Sequence, residues 1–486
     1  MRIALIQCPS WTPESPPYTL GILSAVLKRS GHDVSCFDLN IETYAHCQNK
    51  IVSGREAINR DSWSSGQQGN IWYEQDKVED FMRKEAGFVN ALAESVLDSH
   101  PQVIGFSTQS TSKFFSLRLA ALLKQKNNAA RVIFGGPLVF KNCYGPDILQ
   151  HYPFLDAVSF AEADRSFPDY LRSCEARGGI RMVPGFAVRA GNGEIMVSGD
   201  PPAIGDLDEL PFADYSGFNL EKYSKKLIPI ATSRGCINRC SFCSESTHWR
   251  QYRRRSAQNI IDEMIFQLRR YPHITQFWFN DSLINGDMRM LDTLCELIIR
   301  HKLSIKWGGQ GMIRKEMRRS FLAKMKRAGC SVISYGVESG SNRVLALMRK
   351  GYTAALAHQV IKDTHASGIE VIFNIITGFP GEDEASFRET KDFILRCRRY
   401  AIHIELPVYL LLKGSYIFDH LNEFGIAPID YNGDWQLKWK TNDNMNTYEV
   451  RQGRWRELNE LLPRRSSLAL MAGRAYRIYK AIRSRI

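Results

Sequence analysis

The sequence contains no long apolar run and no framework of paired cysteines. No apolar stretch reaches the roughly 18 residues that a membrane-spanning helix needs. The N-terminus, MRIALIQCPSW, lacks the layout of a signal peptide. The 11 cysteines are odd in number and spread along 486 residues, which argues against the disulfide scaffold of a small secreted protein. We therefore expect a cytoplasmic protein in a reducing compartment.

The patterns of nucleic-acid-binding modules are also missing. The formal net charge is +13, but +7 of it lies in residues 449–486, where ten Arg or Lys residues accompany three Glu residues. Neither a zinc-finger spacing nor an RNA-binding signature of basic and aromatic residues accompanies this charge. Nucleic acid is therefore not an expected partner. The length and the 44% hydrophobic content instead indicate a folded protein of two or three domains.

Strand-like apolar runs alternate with helical patterns along the first half of the chain. RIALIQ, DVSCFDL, VIGFST, RVIFGGP and AVSF have the pattern of strands, and LGILSAVLKRSG and SLRLAALLKQK that of helices between them. This alternation predicts an α/β fold, with a flavodoxin-like Rossmann domain over residues 1–175. Residues 45–98 form a polar insertion into it. Residues 176–222, rich in Pro, Gly and Asp, are predicted to be a linker.

The alternation resumes near Leu227 and continues to IELPVYLLL. Six or seven strand-helix units in series predict a partial TIM-type (β/α)6 barrel over residues 223–430. Residues 431–486 are predicted to be a small helical segment rich in basic and aromatic residues. Its last helix, SLALMAGRAYRIYKAIRSRI, is amphipathic and basic. Such a helix either packs on its own domain or makes peripheral contact with an anionic membrane.

Three cysteines follow directly on the predicted strand IPIAT. Cys236, Cys240 and Cys243 form a Cys-x3-Cys-x2-Cys pattern, with Phe242 just before the last thiol. Three thiolates within eight residues can hold one face of an iron-sulfur cluster. The lack of a fourth neighbouring thiolate leaves one iron open, as catalytic metal sites need. A zinc site completed by His248 is the alternative, although zinc ligands usually occur in two spaced pairs.

This cysteine pattern with Phe242 resembles the signature of radical S-adenosylmethionine (SAM) enzymes. The resemblance implies a 4Fe-4S cluster that binds SAM and cleaves it to a 5′-deoxyadenosyl radical. The electron would come from a donor such as flavodoxin or ferredoxin. Motifs at later strand ends resemble the SAM-binding segments of that family, and Asp281 and Glu338 in them are the implied catalytic residues. The implied SAM contacts are Phe242, Asn280, Asp281, Glu338, Ser339, Asn374 and Gly378.

The N-terminal pattern resembles the cobalamin-binding domains that precede many radical SAM barrels. The resemblance rests on PPYTLG at 16–21, GFSTQST at 105–111, FGGP at 134–137 and SFAEAD at 159–164. The region has no Asp-x-His-x-x-Gly motif, so no histidine of this domain would ligate cobalt. A flavodoxin-like domain without a cofactor is the alternative. The implied cobalamin contacts are Thr19, Gly21, Ser107, Thr108, Gly135, Gly136 and Glu162.

Together these resemblances imply a cobalamin-dependent radical SAM methyltransferase that acts on carbon. The expected substrate is a small molecule, a lipid or a peptide natural product. Two other readings stay open at this point. The first is a cobalamin-binding oxidative cyclase or another radical enzyme that transfers no methyl group. The second is a protein without enzymatic activity, an iron-sulfur sensor or binding protein.

Overall fold

Two largely parallel sheets organise the chain, one in each half. The predicted basic C-terminal helix and part of the polar insertion at 45–98 lie outside the described residues. Every helix in the part of the chain that is described is too short or too polar to span a lipid bilayer. The computed structural model describes residues 1–52, 63, 71–141, 143–176, 182–249, 251–431 and 435–462.

The first sheet has seven strands in the order β2-β1-β3-β4-β5-β6-β7. Strands β1 to β5 are parallel. Their order is that of flavodoxin-like folds, which confirms the predicted fold class. The strands are β1 (Arg2–Gln7), β2 (Asp33–Asp38), β3 (Val103–Ser107), β4 (Arg131–Gly135), β5 (Ala157–Ser159), β6 (Phe186–Arg189) and β7 (Ile195–Val197).

The last two strands correct the prediction of a linker over residues 176–222. Strand β6 pairs antiparallel with β5, and β7 pairs antiparallel with β6. The four residues of β6 and the three of β7 are too few for a visible alternation among the surrounding Pro and Gly residues. The segment therefore continues the sheet before it connects to the second half. The other predicted domain boundaries stay predictions.

Helices cover both faces of the first sheet, because alternate residues of each strand point to opposite sides. In β1, Ile3 and Leu5 belong to the core beneath α1 and α7. Ala4 and Ile6 belong to the core beneath α4 and α5. The helices are α1 (Tyr18–Arg29), α2 (Leu39–Val52), α3 (Gln75–Lys84), α4 (Ala86–Leu97), α5 (Lys113–Lys126), α6 (Ile148–His151) and α7 (Ala163–Glu175).

The second sheet has six parallel strands in the order β15-β14-β13-β12-β11-β8. It is the predicted partial barrel. A separate antiparallel ribbon of β9 and β10 follows its first strand. The strands are β8 (Leu227–Ile230), β9 (Ser233–Arg234), β10 (Arg253–Arg254), β11 (Gln276–Phe279), β12 (Lys306–Gly311), β13 (Cys330–Glu338), β14 (Glu370–Ile375) and β15 (His403–Glu405).

The helices of the second half pack on the outer side of this sheet and at its ends. Buried side chains of α9 and β8 belong to the same core cluster as those of α1 and α7, so the two halves share one core. The helices are α8 (Glu245–Trp249), α9 (Ala257–Arg270), α10 (Met288–Arg300), α11 (Arg319–Arg327), α12 (Asn342–Leu347), α13 (Ala354–Ala366), α14 (Glu384–Cys397), α15 (Tyr416–Asp419), α16 (Trp435–Lys438) and α17 (Tyr448–Glu460).

Candidate active site

The three clustered cysteines lie in the loop after β8, at the carboxyl edge of the barrel sheet. Ser241 attaches this loop to the end of α12. Its backbone N–H donates to the Met348 carbonyl (3.1 Å), and its hydroxyl donates to the Leu347 carbonyl (2.8 Å). The Asn238 N–H points at the Cys236 Sγ atom (3.4 Å). The loop is therefore folded back on itself, and its three thiols are half-buried.

The thiols share one electrostatic environment. Burial raises the pKa of Cys236 and Cys240, and it raises the pKa of Cys243 to about 12. Buried thiolates therefore need a neighbouring cation, which iron supplies. In the described part of the chain, no three His, Cys, Asp or Glu side chains converge on a single metal ion. His248, the fourth ligand of the zinc alternative, stacks on Phe140 instead. The donor set thus fits a cluster, whose ligands bind separate iron atoms, better than zinc.

Asp281 fixes the start of the cysteine loop. Its Oδ1 atom accepts from the N–H groups of Thr232 (2.7 Å) and Ser233 (3.0 Å), and its Oδ2 atom accepts from the Thr232 hydroxyl. Burial raises its pKa to about 6. These bonds give Asp281 a positioning role in the protein, and its predicted contact with SAM stays a prediction. Asn280 is exposed at the same strand end.

Glu338 forms a buried ion pair that sequence reasoning missed. It ends β13 with φ +71°, and its Oε1 atom lies 3.2 Å from the Lys350 Nζ atom. Burial opposes the charge on Lys350, but Glu338 raises the pKa of Lys350 above its ordinary value. The same Nζ atom lies 5.6 Å from the centroid of the Phe242 ring. A buried cation therefore stands beside the cysteine loop. In the sequence, this ion pair is indicated only by Lys350 following Glu338, the last residue of β13.

Two polar atoms near the carboxyl end of β14 have no partner. They are the Asn374 Oδ1 atom and the Thr377 Oγ1 atom, and both are buried. Because Phe373 and Ile375 lie in the outer core, Asn374 faces the opposite side of the strand, the interior of the barrel. A buried polar atom without a hydrogen bond is costly. These two atoms therefore fit a polar ligand, as predicted for Asn374.

Ser339 and Gly378 both have packing roles within the protein, and their predicted contacts with SAM stay predictions. The Ser339 Oγ atom accepts from the Ser341 N–H (3.1 Å) and shares a hydrogen bond with the Thr390 hydroxyl (3.2 Å). Gly378 has φ +75°, and a Cβ atom there would lie 2.3 Å from the Arg451 Cγ atom. Both residues thus have a structural explanation within the protein.

A cavity lies between the carboxyl edge of the first sheet and the cysteine loop. Its volume is about 320 Å³, which falls within the range of about 300–1,000 Å³ that is usual for ligand pockets, and it opens to solvent. The Ser159 Oγ and His248 Nε2 atoms on its wall have no partner. Six of the seven predicted cobalamin contacts line it: Thr19, Ser107, Thr108, Gly135, Gly136 and Glu162. The barrel contributes Ser233, Arg234, Gly235, His248, Trp249 and Asn280.

The seventh residue, Gly21, packs against another part of the protein, and its predicted contact with cobalamin stays a prediction. It is not part of the cavity wall, and a Cβ atom there would lie 3.0 Å from the Tyr215 ring. Gly136, with φ +91°, also has a packing reason, since a Cβ atom would lie 2.6 Å from the Thr108 carbonyl oxygen. Only Gly135 leaves room, since a Cβ atom there would have no neighbouring atom nearer than 3.8 Å. Backbone approach by a ring is thus open at Gly135 alone of these three.

Thr108 and Glu162 are already engaged within the protein. The Thr108 hydroxyl donates to the Gly135 carbonyl (2.7 Å). Glu162 accepts hydrogen bonds from two arginines of the barrel, Arg234 and Arg253. Ser107 and Thr19 also line the cavity, and their hydroxyls make no such bond within the described part of the chain. The geometry therefore places the predicted polar contacts together at one edge, but not all of them are free for a ligand.

Known proteins are similar to this chain in sequence. Residues 230–394 match the family model of the radical SAM superfamily. A cytidylyl-2-hydroxyethylphosphonate methyltransferase of Streptomyces wedmorensis is 27% identical over 75% of this chain and 69% of its own length. An anaerobic magnesium-protoporphyrin IX monomethyl ester cyclase of Rubrivivax gelatinosus is 23% identical over 62% of this chain and 55% of its own length.

Two solved structures share the fold of nearly the whole chain. One is the cobalamin-dependent SAM radical enzyme OxsB with aqua-cobalamin and SAM bound, at TM-score 0.63, 18% identity, and coverage of 95% of this chain and 62% of that one. The other is the radical SAM methyltransferase TsrM from Kitasatospora setae with tryptophan substrate and a SAM analogue bound, at TM-score 0.66, 16% identity and coverage of 95% and 89%. This chain thus spans somewhat less than two thirds of OxsB.

Proposed function

This chain is a radical SAM protein with the fold of the cobalamin-dependent radical SAM enzymes, and from that premise we propose that it methylates carbon in a small-molecule substrate. The observation that carries the proposal is the shared cavity, which joins the carboxyl edge of the first sheet to the cysteine loop. A cofactor held there would face the cluster site directly.

Different residues at the barrel edge would hold the cluster and SAM. Cys236, Cys240 and Cys243 would ligate a 4Fe-4S cluster, which supplies the electron that cleaves SAM. Asp281 holds the N–H groups at the start of the loop. Lys350 keeps a positive charge beside the thiols, and this charge is offset by one carboxylate. The unpartnered Asn374 oxygen would bind a polar group of SAM inside the barrel.

The edge of the first sheet would hold cobalamin, which supplies the methyl group. Thr19, Ser107 and Ser159 present hydroxyls to the cavity, and Gly135 leaves space for a close approach. Glu162 contributes to the wall but keeps its hydrogen bonds to arginine. These residues bind and orient the cofactor without a histidine from this domain.

The experiment needs no knowledge of the substrate. Protein reconstituted anaerobically with iron, sulfide and cobalamin is reduced in the presence of methyl-deuterated SAM. We expect stoichiometric cobalt after gel filtration, formation of 5′-deoxyadenosine, and deuterium on the recovered cobalamin by mass spectrometry. The Cys240→Ala variant should lose 5′-deoxyadenosine but keep cobalt. The control Cys174→Ala, a half-buried cysteine outside the motif, should behave as wild type.

Each contrary result removes a defined part of the proposal. Loss of all cobalt on gel filtration would remove the methyltransferase. Absence of 5′-deoxyadenosine in the wild type would favour the sensor or binding protein. The oxidative cyclase, which the Rubrivivax gelatinosus relative favours, predicts 5′-deoxyadenosine and bound cobalt but no deuterium on cobalamin.

We also propose that the electron enters at the exposed part of the cysteine loop. Ile237 is 41% exposed, and Arg239 beside it is exposed. Arg349 and Lys413 are exposed next to residues that hydrogen-bond to the loop or to α8. Three cations around the loop favour an acidic carrier such as flavodoxin or ferredoxin.

Reductants of opposite charge test this surface. At low salt, the Arg239→Gln variant should slow reduction of the cluster by flavodoxin hydroquinone several-fold. Reduction by the cationic methyl viologen radical should not slow, since the variant removes a repulsive charge. The control Arg388→Gln changes an exposed arginine on α14 and should alter neither rate. Equal slowing of both reductants would contradict electrostatic docking.

Two remaining expectations stay proposals. No disulfide bond joins cysteines in the described part of the chain, which supports the reducing environment of the cytoplasm. Peripheral membrane contact rests on the basic C-terminal helix, which lies outside the described residues. Sedimentation of the full chain with vesicles of phosphatidylglycerol, compared with vesicles of phosphatidylcholine, tests it.

A further inference from the structure

Four charged side chains form a buried group between the two halves of the protein, here called the interdomain ion cluster: Glu162, Asp164, Arg234 and Arg253. Arg234 binds Asp164 through two parallel bonds, Nη1 to Oδ2 (2.7 Å) and Nη2 to Oδ1 (2.8 Å). Glu162 accepts from the Nη1 atoms of Arg234 (2.9 Å) and Arg253 (3.2 Å). Two acids thus balance two bases, and each side chain is between 5% and 14% exposed.

The two pairs come from separate units. The acids lie where β5 leads into α7, and Asp164 occupies the first turn of that helix. The arginines lie on the ribbon that follows the first barrel strand, where Arg234 in β9 pairs with Arg253 in β10. The Trp249 ring lies beside both guanidinium groups, at 5.7 and 5.9 Å from its centroid. Paired charges and a shared aromatic ring hold both arginines in fixed positions.

Arg234 is separated from the first cluster ligand, Cys236, by a single residue. That residue is Gly235, with φ +81°, and a Cβ atom there would lie 2.6 Å from the Gln251 carbonyl oxygen. The backbone between Arg234 and Cys236 is therefore packed tightly against the chain that enters β10. A movement of Arg234 would have to move Cys236 as well.

The same short segment is held from the barrel side. Asp281 accepts the N–H groups of Thr232 and Ser233, the two residues before Arg234. Asp164 holds Arg234 from the other side, and Arg234 keeps the pKa of that carboxyl below its ordinary value although burial alone would raise it. The start of the cysteine loop is thus fixed between an aspartate of the barrel and an aspartate of the N-terminal unit.

The interdomain ion cluster also borders the shared cavity. Glu162, Asp164 and Arg234 all contribute to the cavity wall. A ligand that fills the cavity would therefore contact the group that fixes Arg234. Glu162, Asp164 and Arg234 therefore connect the cavity to the backbone of Cys236.

We propose that Asp164 and Arg234 are positioning residues for the iron-sulfur cluster: the N-terminal unit sets the place of Cys236 and makes the state of the cluster depend on whether the cavity is filled. The inference rests on the proposed function, because it assumes that the three cysteines hold a cluster. It differs from a purely structural role, which would join the two units without affecting the cluster.

The test compares two contacts between the same two units. The variant Asp164→Asn keeps the shape of the side chain and removes its charge. The control Glu14→Gln breaks the exposed ion pair between Glu14 and Lys225 (2.6 Å), which also connects the N-terminal unit to the chain just before β8. Both proteins are reconstituted anaerobically with iron and sulfide. The readouts are loss of iron to a ferrous chelator and the electron paramagnetic resonance spectrum of the reduced cluster with SAM.

We expect Asp164→Asn to lose iron several-fold faster, since the loss of this charge releases Arg234, which lies two residues before Cys236. Glu14→Gln should lose iron at the wild-type rate. Addition of hydroxocobalamin should change the spectrum of the wild-type cluster, and this change should be absent in Asp164→Asn. If Asp164→Asn fails to fold, Asp164→Glu keeps the charge but shifts the carboxylate, and it should show an intermediate rate.

Two results would overturn the inference alone. One is wild-type iron loss in Asp164→Asn and Asp164→Glu, and the other is an equal acceleration in Glu14→Gln. A wild-type spectrum that does not respond to cobalamin would overturn the dependence on the cavity. A wild-type protein that retains no iron at all would instead overturn the proposed function, so the two failures are distinguishable.

Discussion

At the scale of single residues, the site depends on buried charges whose partners are other parts of the protein. Lys350 neutralises Glu338, and Arg234 binds Asp164. A buried ion pair is weak evidence for stability, but removal of one partner leaves a costly unpaired charge. These residues therefore tolerate little change, although only some of them would touch a cofactor.

A buried carboxyl away from the site gives a prediction about pH. The Asp38 oxygens accept from the Tyr223 hydroxyl (2.8 Å) and the Ile41 N–H (3.2 Å), and burial raises the pKa of Asp38 to about 7. Between pH 4 and 7 the folded protein keeps a proton that the unfolded chain has lost. The free energy of unfolding should therefore fall as pH rises, by about 3 to 4 kcal/mol from this group.

Urea unfolding of Asp38→Asn at several pH values measures this contribution. The variant should lose that part of the pH dependence, whereas Asp33→Asn, an exposed aspartate at the start of the same strand, should keep it. An unchanged slope in Asp38→Asn would show that Asp38 has an ordinary pKa.

Gly136, which directly follows β4, gives a prediction about strain. Gly136→Ala places a Cβ atom 2.6 Å from the Thr108 carbonyl oxygen on a residue with φ +91°. We expect a loss of at least about 1 to 2 kcal/mol in the free energy of unfolding. Gly191→Ala, where no atom lies within 4 Å, should change it by less than about 0.5 kcal/mol. Similar midpoints for both variants in urea would contradict the packing.

The sequence indicated candidate residues through their spacing, and it missed residues whose partners are distant in the chain. The three cysteines and Asn374 lie at the strand ends that their motifs predict, and their contacts with a cluster and SAM stay predictions. Arg234 and Asp164 are 70 positions apart, so no local pattern reveals their pairing. At Gly21 and Gly378 the sequence does not distinguish two roles, because a missing side chain fits a close ligand and a close protein atom equally well.

At the scale of elements, α17 acts as a clamp on the turn after β14. Arg451 lies with its aliphatic part on Gly378, and its guanidinium donates to the Trp439 carbonyl (2.8 Å) and stacks on the Trp439 ring at 3.9 Å. Glu382 accepts from the Gly378 N–H (3.1 Å) and from Arg454 of the same helix (3.2 Å). The buried Trp439 is thus a core residue, and the clamp fixes the turn beside Asn374.

The clamp predicts local loosening when its guanidinium is replaced. Arg451→Lys keeps the charge but cannot reach the same carbonyls, which leaves buried acceptors unpaired at a cost of about 1 to 3 kcal/mol. Hydrogen exchange should become faster in peptides that cover residues 374–382. Arg456→Lys, an exposed arginine on α17, should leave exchange there unchanged. Unchanged protection in Arg451→Lys would show that the turn holds without the clamp.

The long elements could be predicted because their patterns repeat over enough residues. The parallel strands of both sheets and most helices follow from apolar periodicity alone. Strands β6 and β7 could not, since each offers one or two alternations and sits among Pro and Gly residues. Their assignment depends on pairing with β5, which is a tertiary interaction.

At the scale of the whole molecule, one tyrosine joins the two halves. Tyr215 is fully buried, its ring lies on Gly21 of α1, and its hydroxyl donates to the Pro229 carbonyl in β8. It therefore contacts the first unit and the first barrel strand together. The shared core around it predicts that both halves unfold in one transition.

Removal of this ring should separate the halves. Tyr215→Ala should lower the free energy of unfolding by about 3–5 kcal/mol and split one calorimetric transition into two. Tyr431→Ala, whose ring is 59% exposed, should retain a single transition near the wild-type temperature. A single transition in Tyr215→Ala would show that other contacts suffice to couple the halves.

The cavity between the halves has a consequence for the order in which the protein is made. Because each half supplies one side of its wall, neither half offers a complete receptor before the other has folded against it. Ribosomal synthesis delivers the first wall well before the second. Binding of an organic cofactor in this cavity would then be among the last steps of maturation. A cell that lacks the cofactor would accumulate folded protein without it.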